Sequence, residues 1–487
     1  GKLVKITDAQ GNEQTYTVDG NGFNTSQSDW MGNLTAYERN TQNQITKVTD
    51  PLGNATTYSY DDRGNLVVTT DANGNRTTYT YDASGRMISM TDAMGNTWTY
   101  AYDNEGRRTS TTDPAGGKTS TVYDSVGRTS SVTDAKGGKT TYTYDSVGNT
   151  TAVKDALNQT TRYTYDANGN MLTRTDRNGD TWTYTYDAAN RLTKETDPMG
   201  GETVYTYDEL GQVTKVTTPG GSESSAQYDS MGRTTSAVDA LGHATAYEYD
   251  SLGRRTKVTY ADGTFVTYTY NANGQVLTAT DQLGGVTAYA YDNAGRLVST
   301  TDPMGNVTTQ TYDAVGNVVK VTDALGNETT YTYNANNQIA AVTDAEGGVT
   351  SYAYDANGRV ATVTDAEGGK TTYSYDAKGN VTKIVDAGGN TTTYTYDKLD
   401  RLTAVKDGRG NTTSYEYDAE GAITKVTDPE GYFASRSFDA LGRLVSETDR
   451  NGNTRTYTYD ADGRMTSATD PLGHVATYSY DARGPLL

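Results

Sequence analysis

One feature constrains this chain more than any other: the dipeptide Tyr-Asp returns every 21 residues. It runs from Tyr60-Asp61, Tyr81-Asp82 and Tyr102-Asp103 to Tyr480-Asp481 with no insertion or deletion. Tyr270-Asn271, Tyr333-Asn334 and Phe438-Asp439 are conservative variants, and the period extends back through Arg39-Asn40 to Val18-Asp19. In such an array each repeat contacts its neighbours in the same way, so several unlike cores are not expected. Residues 1–487 therefore read as a single array of about 23 repeats, with residues 1–44 more divergent. Both ends fall inside a repeat, and the chain reads as a segment of a longer protein.

Half a repeat away lies a second series, usually Thr-Asp: Asp8, Asp50, Asp71, Asp92 and onward to Asp449 and Asp470, broken at Thr218 and Tyr260. Each repeat thus contains two Asp-x-x-Gly steps. Asp at the first position of a turn can accept from backbone N–H groups two or three residues on, and Gly at the fourth supplies a positive φ. The candidate turn residues are Asp61 with Gly64, Asp71 with Gly74, Asp82 with Gly85 and Asp92 with Gly95. A left-handed position should be replaced only by Asn or Asp, never by a β-branched residue. Across the 46 positions of the two Gly series the replacements are Asn43, Asn158, Asn190, Asn337 and Asp400, and all five obey.

Between turns the chain reads as two short strands, such as residues 296–301 and 327–333, rich in β-branched and aromatic residues. In the second, Thr329, Tyr331 and Tyr333 share one face. The first carries apolar residues three apart, as Ile45 and Val48 or Val360 and Val363. That is one residue out of step with alternation, and a bulge or early turn would explain it. No helical period is present, and almost no helix is expected.

Such repeats could stack as a solenoid or run as an antiparallel meander. Solenoid stacking would place equivalent Asp residues about 4.8 Å apart in long ladders, whereas a meander separates them by about 9.6 Å and halves the bare repulsion. The meander is the expected fold: an all-β, continuous antiparallel hairpin ribbon. At about 4.8 Å per strand it would extend roughly 220 Å, far beyond the ~10 strands at which open sheets curl. It must therefore wind into a spiral, as a hollow shell or a tube.

Composition narrows the function. Tyr numbers 41 against 4 Phe and 3 Trp, so burial must come from Tyr rings, Thr methyls and scattered Val, Leu and Met. The net charge of −20 opposes nucleic-acid phosphates and anionic membranes, so neither is expected as a partner. Without Cys there is no disulfide framework and no thiolate metal site. No apolar run approaches the ~18 residues needed to span a bilayer, so no membrane insertion is expected.

The motif Tyr291-Asp292-Asn293-Ala294-Gly295-Arg296-Leu297 through Thr301-Asp302-Pro303-Met304-Gly305-Asn306 resembles the Rhs/YD-repeat family over nearly the whole chain. The family includes bacterial Rhs polymorphic toxins, insecticidal toxin-complex subunits and animal teneurins. The resemblance implies a spiralling sheet that closes into a hollow shell. In the toxins the shell encloses a C-terminal effector, released by self-cleavage in a region after the repeats. No such region is seen here, since Asp470-Pro471-Leu472-Gly473 belongs to an ordinary repeat.

Candidate chemistry reads mainly as structure. The only histidines, His243 and His474, lie in Leu-Gly-His turns and read as solvated turn residues. The repeated Asp residues read as turn caps, because a catalytic carboxylate pair needs two unlike environments. Loops such as 71–75 offer several oxygens but lack EF-hand spacing, so no metal or other cofactor is assigned. Tyr58, Tyr60, Tyr79, Tyr81, Tyr331 and Tyr333 read as sheet packing, with carbohydrate or cell-surface contact as the other use of such faces. Asn-x-Thr triplets such as Asn54-Ala55-Thr56 arise from the turn consensus and carry little information. Arg86, Arg128, Arg191, Arg359 and Arg464 follow the turn-glycine position, held by Asn190 before Arg191, and are placed to meet Asp across neighbouring turns.

The chain is thus read as a non-enzymatic shell wall of a large secreted or cell-surface protein. Its expected partner is an enclosed passenger, or a C-terminal effector of the same longer protein. The alternative is an extracellular fibre, stalk or adhesive tube that self-associates. A glycosidase using paired carboxylates lacks any unique acidic constellation.

Overall fold

The computed structural model describes residues 3–480. The described residues contain no helix and 46 strands of one open sheet, in which consecutive strands within a unit run antiparallel, as Glu328–Tyr333 does to the strands before and after it. The meander is therefore the fold, and the solenoid is not. Two compact units divide the chain: Gly1–Gly116 with Ala246–Thr371, and Gly117–Thr245 with Thr372–Leu487.

Residues Val318–Thr343 show the construction. The strand Glu328–Tyr333 lies between Val318–Thr322 and Ile339–Thr343. Val321 opposes Thr329 on one side, and Tyr331 opposes Val342 on the other. Thr332 then pairs with Ala341 but Tyr333 with Ile339, so Ala340 is an extra residue in the short strand. This bulge explains the apolar spacing of three. With one residue inserted, Ile339 and Val342 both return to the face that carries Tyr331 and Tyr333. The same shift recurs at Tyr60 opposite Leu66 and at Tyr81 opposite Met87.

The reverse face is polar. Lys320 opposes Thr330, Thr330 opposes Thr343, and Lys320 Nζ sits 2.7 Å from Glu328 Oε1. The sheet has almost no conventional core: Val258, 5% exposed, is the buried apolar residue among those described. Cohesion comes instead from cross-strand pairs, each worth roughly 0.2–1 kcal/mol, repeated along the ribbon.

Candidate functional site

The turns form the first part of the site. Asp82 N–H donates to Arg86 O at 2.9 Å, and Gly85 N–H donates to Asp82 O at 3.1 Å. This is the closed three-residue hairpin loop whose last residue must be left-handed. Gly64, Gly74, Gly85 and Gly95 have φ of 85°, 86°, 77° and 87°. The non-glycine residues of positive φ among those described are Asn43, Asn158, Asn190, Asn337 and Asp400.

Each turn carboxylate caps the backbone. Asp61 Oδ1 accepts from Arg63 N–H at 3.0 Å and Asn65 N–H at 2.8 Å, and Oδ2 accepts from the Asn65 amide at 2.9 Å. Asp71 is held alike by Asn73 N–H and Asn75, Asp82 by Ser84 N–H and Arg86, and Asp92 by Met94 N–H and Asn96. The reach is two and four residues on, one further than the ordinary turn suggests. Asn65 above all holds the Asp61 carboxyl below its usual range, and the Arg86 backbone N–H does the same for Asp82. At Asp92 burial pushes the carboxyl up, but the Asn96 and Asn336 amides and the backbone outweigh it and hold it low.

The tyrosines form a second, periodic element. Tyr58 opposes Thr69 and Tyr79 opposes Met90. The second Tyr of the pair also donates its hydroxyl to a backbone carbonyl 15 residues earlier at three of the sequence-predicted positions: Tyr60 to Ile45 O at 2.7 Å, Tyr81 to Leu66 O at 2.8 Å and Tyr333 to Val318 O at 2.7 Å. These carbonyls belong to the first residue of the short strand, beside the bulge. The hydroxyl role was not read from sequence, although the signal was there in Tyr rather than Phe.

Arginine after the turn glycine joins successive repeats. Arg296 Nε donates to Asp292 Oδ2 at 2.7 Å, Nη1 donates to Asp313 O at 3.1 Å, and the guanidinium lies 4.5 Å from the Tyr312 ring centre. Arg86 and Arg191 do the same. The expectation that these arginines meet Asp across neighbouring turns needs correction. The carboxylate partner lies in the same turn, and the reach to the next repeat ends on a backbone carbonyl.

Within each unit the turns also meet turns from far along the chain. In the unit of Gly1–Gly116 and Ala246–Thr371, Asn73 donates to Asp313 at 3.2 Å, Asn336 to Asp92 at 2.7 Å and Asn273 to Asp29 at 2.8 Å. The partners are 240 or 244 residues apart, and in each of these contacts a turn of the Thr-Asp series faces a turn of the Tyr-Asp series. The rule is reciprocal: the residue two after one turn acid reaches the acid of the facing turn. In the unit of Gly117–Thr245 and Thr372–Leu487, Lys136 lies 3.0 Å from Asp376 and Lys378 lies 3.0 Å from Asp134, with Asp400 also engaging both lysines. Burial pushes the Asp376 carboxyl up, but hydrogen bonds from Asn380, Lys136 and the backbone hold it at about 2.

The two breaks in the Thr-Asp series are repaired differently. At Tyr260 the neighbouring Asp262 accepts from Thr264 N–H at 2.9 Å. At Thr218 the carboxylate comes from the facing turn, where Asp462 Oδ1 accepts from Thr218 Oγ1 at 2.7 Å and from Gly220 N–H at 2.8 Å. His243 and His474 stand in the turn position usually held by Asn, 3.1 and 2.8 Å from Asp239 and Asp470. Among the described residues no group of three or more His, Cys, Asp or Glu is placed to hold a metal ion.

A strict turn period, a Tyr-faced meander and turn-to-turn seams together define a repeat-built wall. The Teneurin YD-shell family matches residues 95–228, 130–260 and 346–485, and the RHS Repeat family matches 39–77, 60–93, 270–307, 291–328 and 312–349. No curated protein sequence matches. Among solved structures, TcdB2-TccC3 without its hypervariable C-terminal region is 15% identical, with a TM-score of 0.64 over 99% of this chain and 36% of that one. TcdB2-TccC3-TEV is 14% identical, with a TM-score of 0.57 over 99% of this chain and 37% of that one. The chain therefore spans little more than a third of these structural relatives, which share its fold. With more than half of its residues matched, the chain belongs to the Teneurin YD-shell family and is built of RHS repeats.

Proposed function

We propose that this chain is a non-enzymatic stretch of shell wall in a large secreted protein, enclosing and protecting a passenger such as a toxin effector. The observation that carries this reading is the seam. In each unit the ribbon's turns meet turns 240–244 residues away through paired side chains, which supports a continuous barrier. Hydrogen-bonded turns, a sheet without helices and the family membership all suit containment and offer no unique acid–base pair for catalysis. A C-terminal effector of the same longer protein is the passenger most in keeping with TcdB2-TccC3, which has a hypervariable C-terminal region.

Electron microscopy of the full-length protein, combined with limited proteolysis, tests the proposal. A closed particle with internal density, whose passenger is cut only after the wall is opened, is the expected result. An open tube of constant diameter, with no protected segment, overturns it.

A further inference from the structure

Seam contacts made by repeat-typical residues would look much the same after a slip of one 21-residue repeat, because similar residues recur from turn to turn. Two contacts between the turns at 176–221 and those at 418–463, in the unit of Gly117–Thr245 and Thr372–Leu487, would not. Thr218 stands where a turn acid is normal, and Asp462 of the facing turn supplies the missing carboxylate at 2.7 Å. Arg177 follows the acid of its own turn, and Glu420 of the facing turn accepts from its backbone N–H at 2.8 Å and its Nε at 3.2 Å. Arg177 also reaches Asp155 at 3.3 Å.

Displacement by one repeat in either direction would bring Asp462 opposite Asp197 or Asp239. Those carboxylates already hold their own turn amides, at Met199 and Leu241. Like charges would then face each other, an unfavourable exchange for a satisfied pair. Glu420 would meet Pro198 or Ala156 in place of Arg177. In one of the two displacements the Thr218 turn would face Leu441, leaving no carboxylate for the Gly220 N–H.

We infer that Thr218 with Asp462 and Arg177 with Glu420 form a register key, which makes the turns at 176–221 the specific docking surface for the turns at 418–463 of the same chain. Repeat-typical pairs supply cohesion along the seam, and these two pairs choose the alignment. The device is needed because a uniform repeat specifies the turns but not which turn meets which.

Because the chain has no Cys, engineered disulfides report the register cleanly. Met199 is in the turn facing Ala440, its Sδ lying 3.0 Å from the Arg443 guanidinium. In the whole chain, Met199→Cys is combined in turn with Ala440→Cys for the native register, or with Ala419→Cys or Ala461→Cys for a slip. The parent key should give the native disulfide. Replacing the key by repeat-typical residues (Thr218→Asp, Asp462→Asn, Arg177→Ala, Glu420→Asn) should raise the slipped disulfides relative to the native one by about tenfold or more. Native disulfide alone in that variant, or all three equally in the parent, overturns the inference. If that variant does not fold, Glu420→Arg is compared with Arg177→Glu/Glu420→Arg. Loss of the native disulfide in the first and its return in the second supports the key, and identical patterns in both overturn it.

Discussion

Asn336 donates its side-chain amide to Asp92 at 2.7 Å although 244 residues separate them. The contact sets a carboxylate that already caps its own turn against a donor from a distant one. One acid thereby serves local chain reversal and long-range assembly together. The same economy recurs at Asp29 with Asn273 and at Asp313 with Asn73. Mutations at turn acids should therefore be felt in both places.

The tyrosine hydroxyl can be separated from its ring. Tyr333→Phe removes the donor to Val318 O and leaves the packing against Ile339. We expect a loss of about 0.5–1.5 kcal/mol, the net worth of one hydrogen bond. Denaturant unfolding of Tyr333→Phe beside Tyr333→Leu, which also loses the ring, measures it. Phe438 already occupies this position in one repeat, in keeping with a modest cost. An effect of Tyr333→Phe as large as that of Tyr333→Leu would contradict the assignment.

Much of this architecture was legible in the residues. The five Asn and Asp replacements of turn Gly identify left-handed positions without coordinates, and the spacing of Ile45 and Val48 shows a break in alternation that left a bulge or an early turn open. The seam was not legible. Which turn meets which depends on how the sheet bends over many strands, and local periodicity does not encode that quantity. Thr218 read only as a break in the Thr-Asp series because its carboxylate comes from Asp462, far along the chain. Arg86 was half read: pairing with Asp was expected across neighbouring turns and is found within the turn, and neither the stacking on Tyr102 nor the bond to Asp103 O was foreseen.

That arginine geometry is not transferable to lysine. Arg296 uses Nε, Nη1 and its planar face at once, whereas an ammonium can satisfy only one of these partners well. Arg296→Lys should lose about 1–2 kcal/mol and recover little of what Arg296→Ala loses. Thermal unfolding at low and high salt checks this. A lysine variant indistinguishable from the parent would reduce the interaction to a simple ion pair.

Acid should loosen the wall. Hydrogen bonds from Asn65 hold Asp61 below its usual range, and those from Arg86 hold Asp82 there. A carboxyl whose folded value lies below its unfolded one contributes stability that is present above the unfolded value and lost as pH falls through the folded one. The ordinary value is 3.8 and Asp376 lies at about 2, so the melting temperature should drop across that window and be flat above it. Circular dichroism melts against pH measure the slope. Replacing several turn acids by Asn, which the chain already tolerates at Asn271 and Asn334, should make the curve shallower. An unchanged slope would place the acid sensitivity elsewhere.

Asp400 sets two effects of opposite sign against each other. Its φ of 64° is one that glycine adopts freely, so Asp400→Gly relieves backbone cost of the order of 0.5–1 kcal/mol. The same change removes the carboxylate that accepts from Asn380 at 2.6 Å and lies beside Lys136 and Lys378. Those two lysines are partly shielded at the seam and also face Asp376 and Asp134, so losing one of three acids leaves one carboxylate for each lysine and takes a second partner from both. A hydrogen bond to a charged group contributes about 1.5–3 kcal/mol, which exceeds the backbone relief. Asp400→Gly should therefore destabilise at low salt. In molar salt, where the Debye length falls to about 3 Å, the deficit should shrink as the ionic part is screened. Asp400→Asn keeps the left-handed preference and the acceptor without the charge, and should fall between the two. If Asp400→Gly instead proves more stable at every salt concentration, backbone strain outweighs the seam contacts at this position.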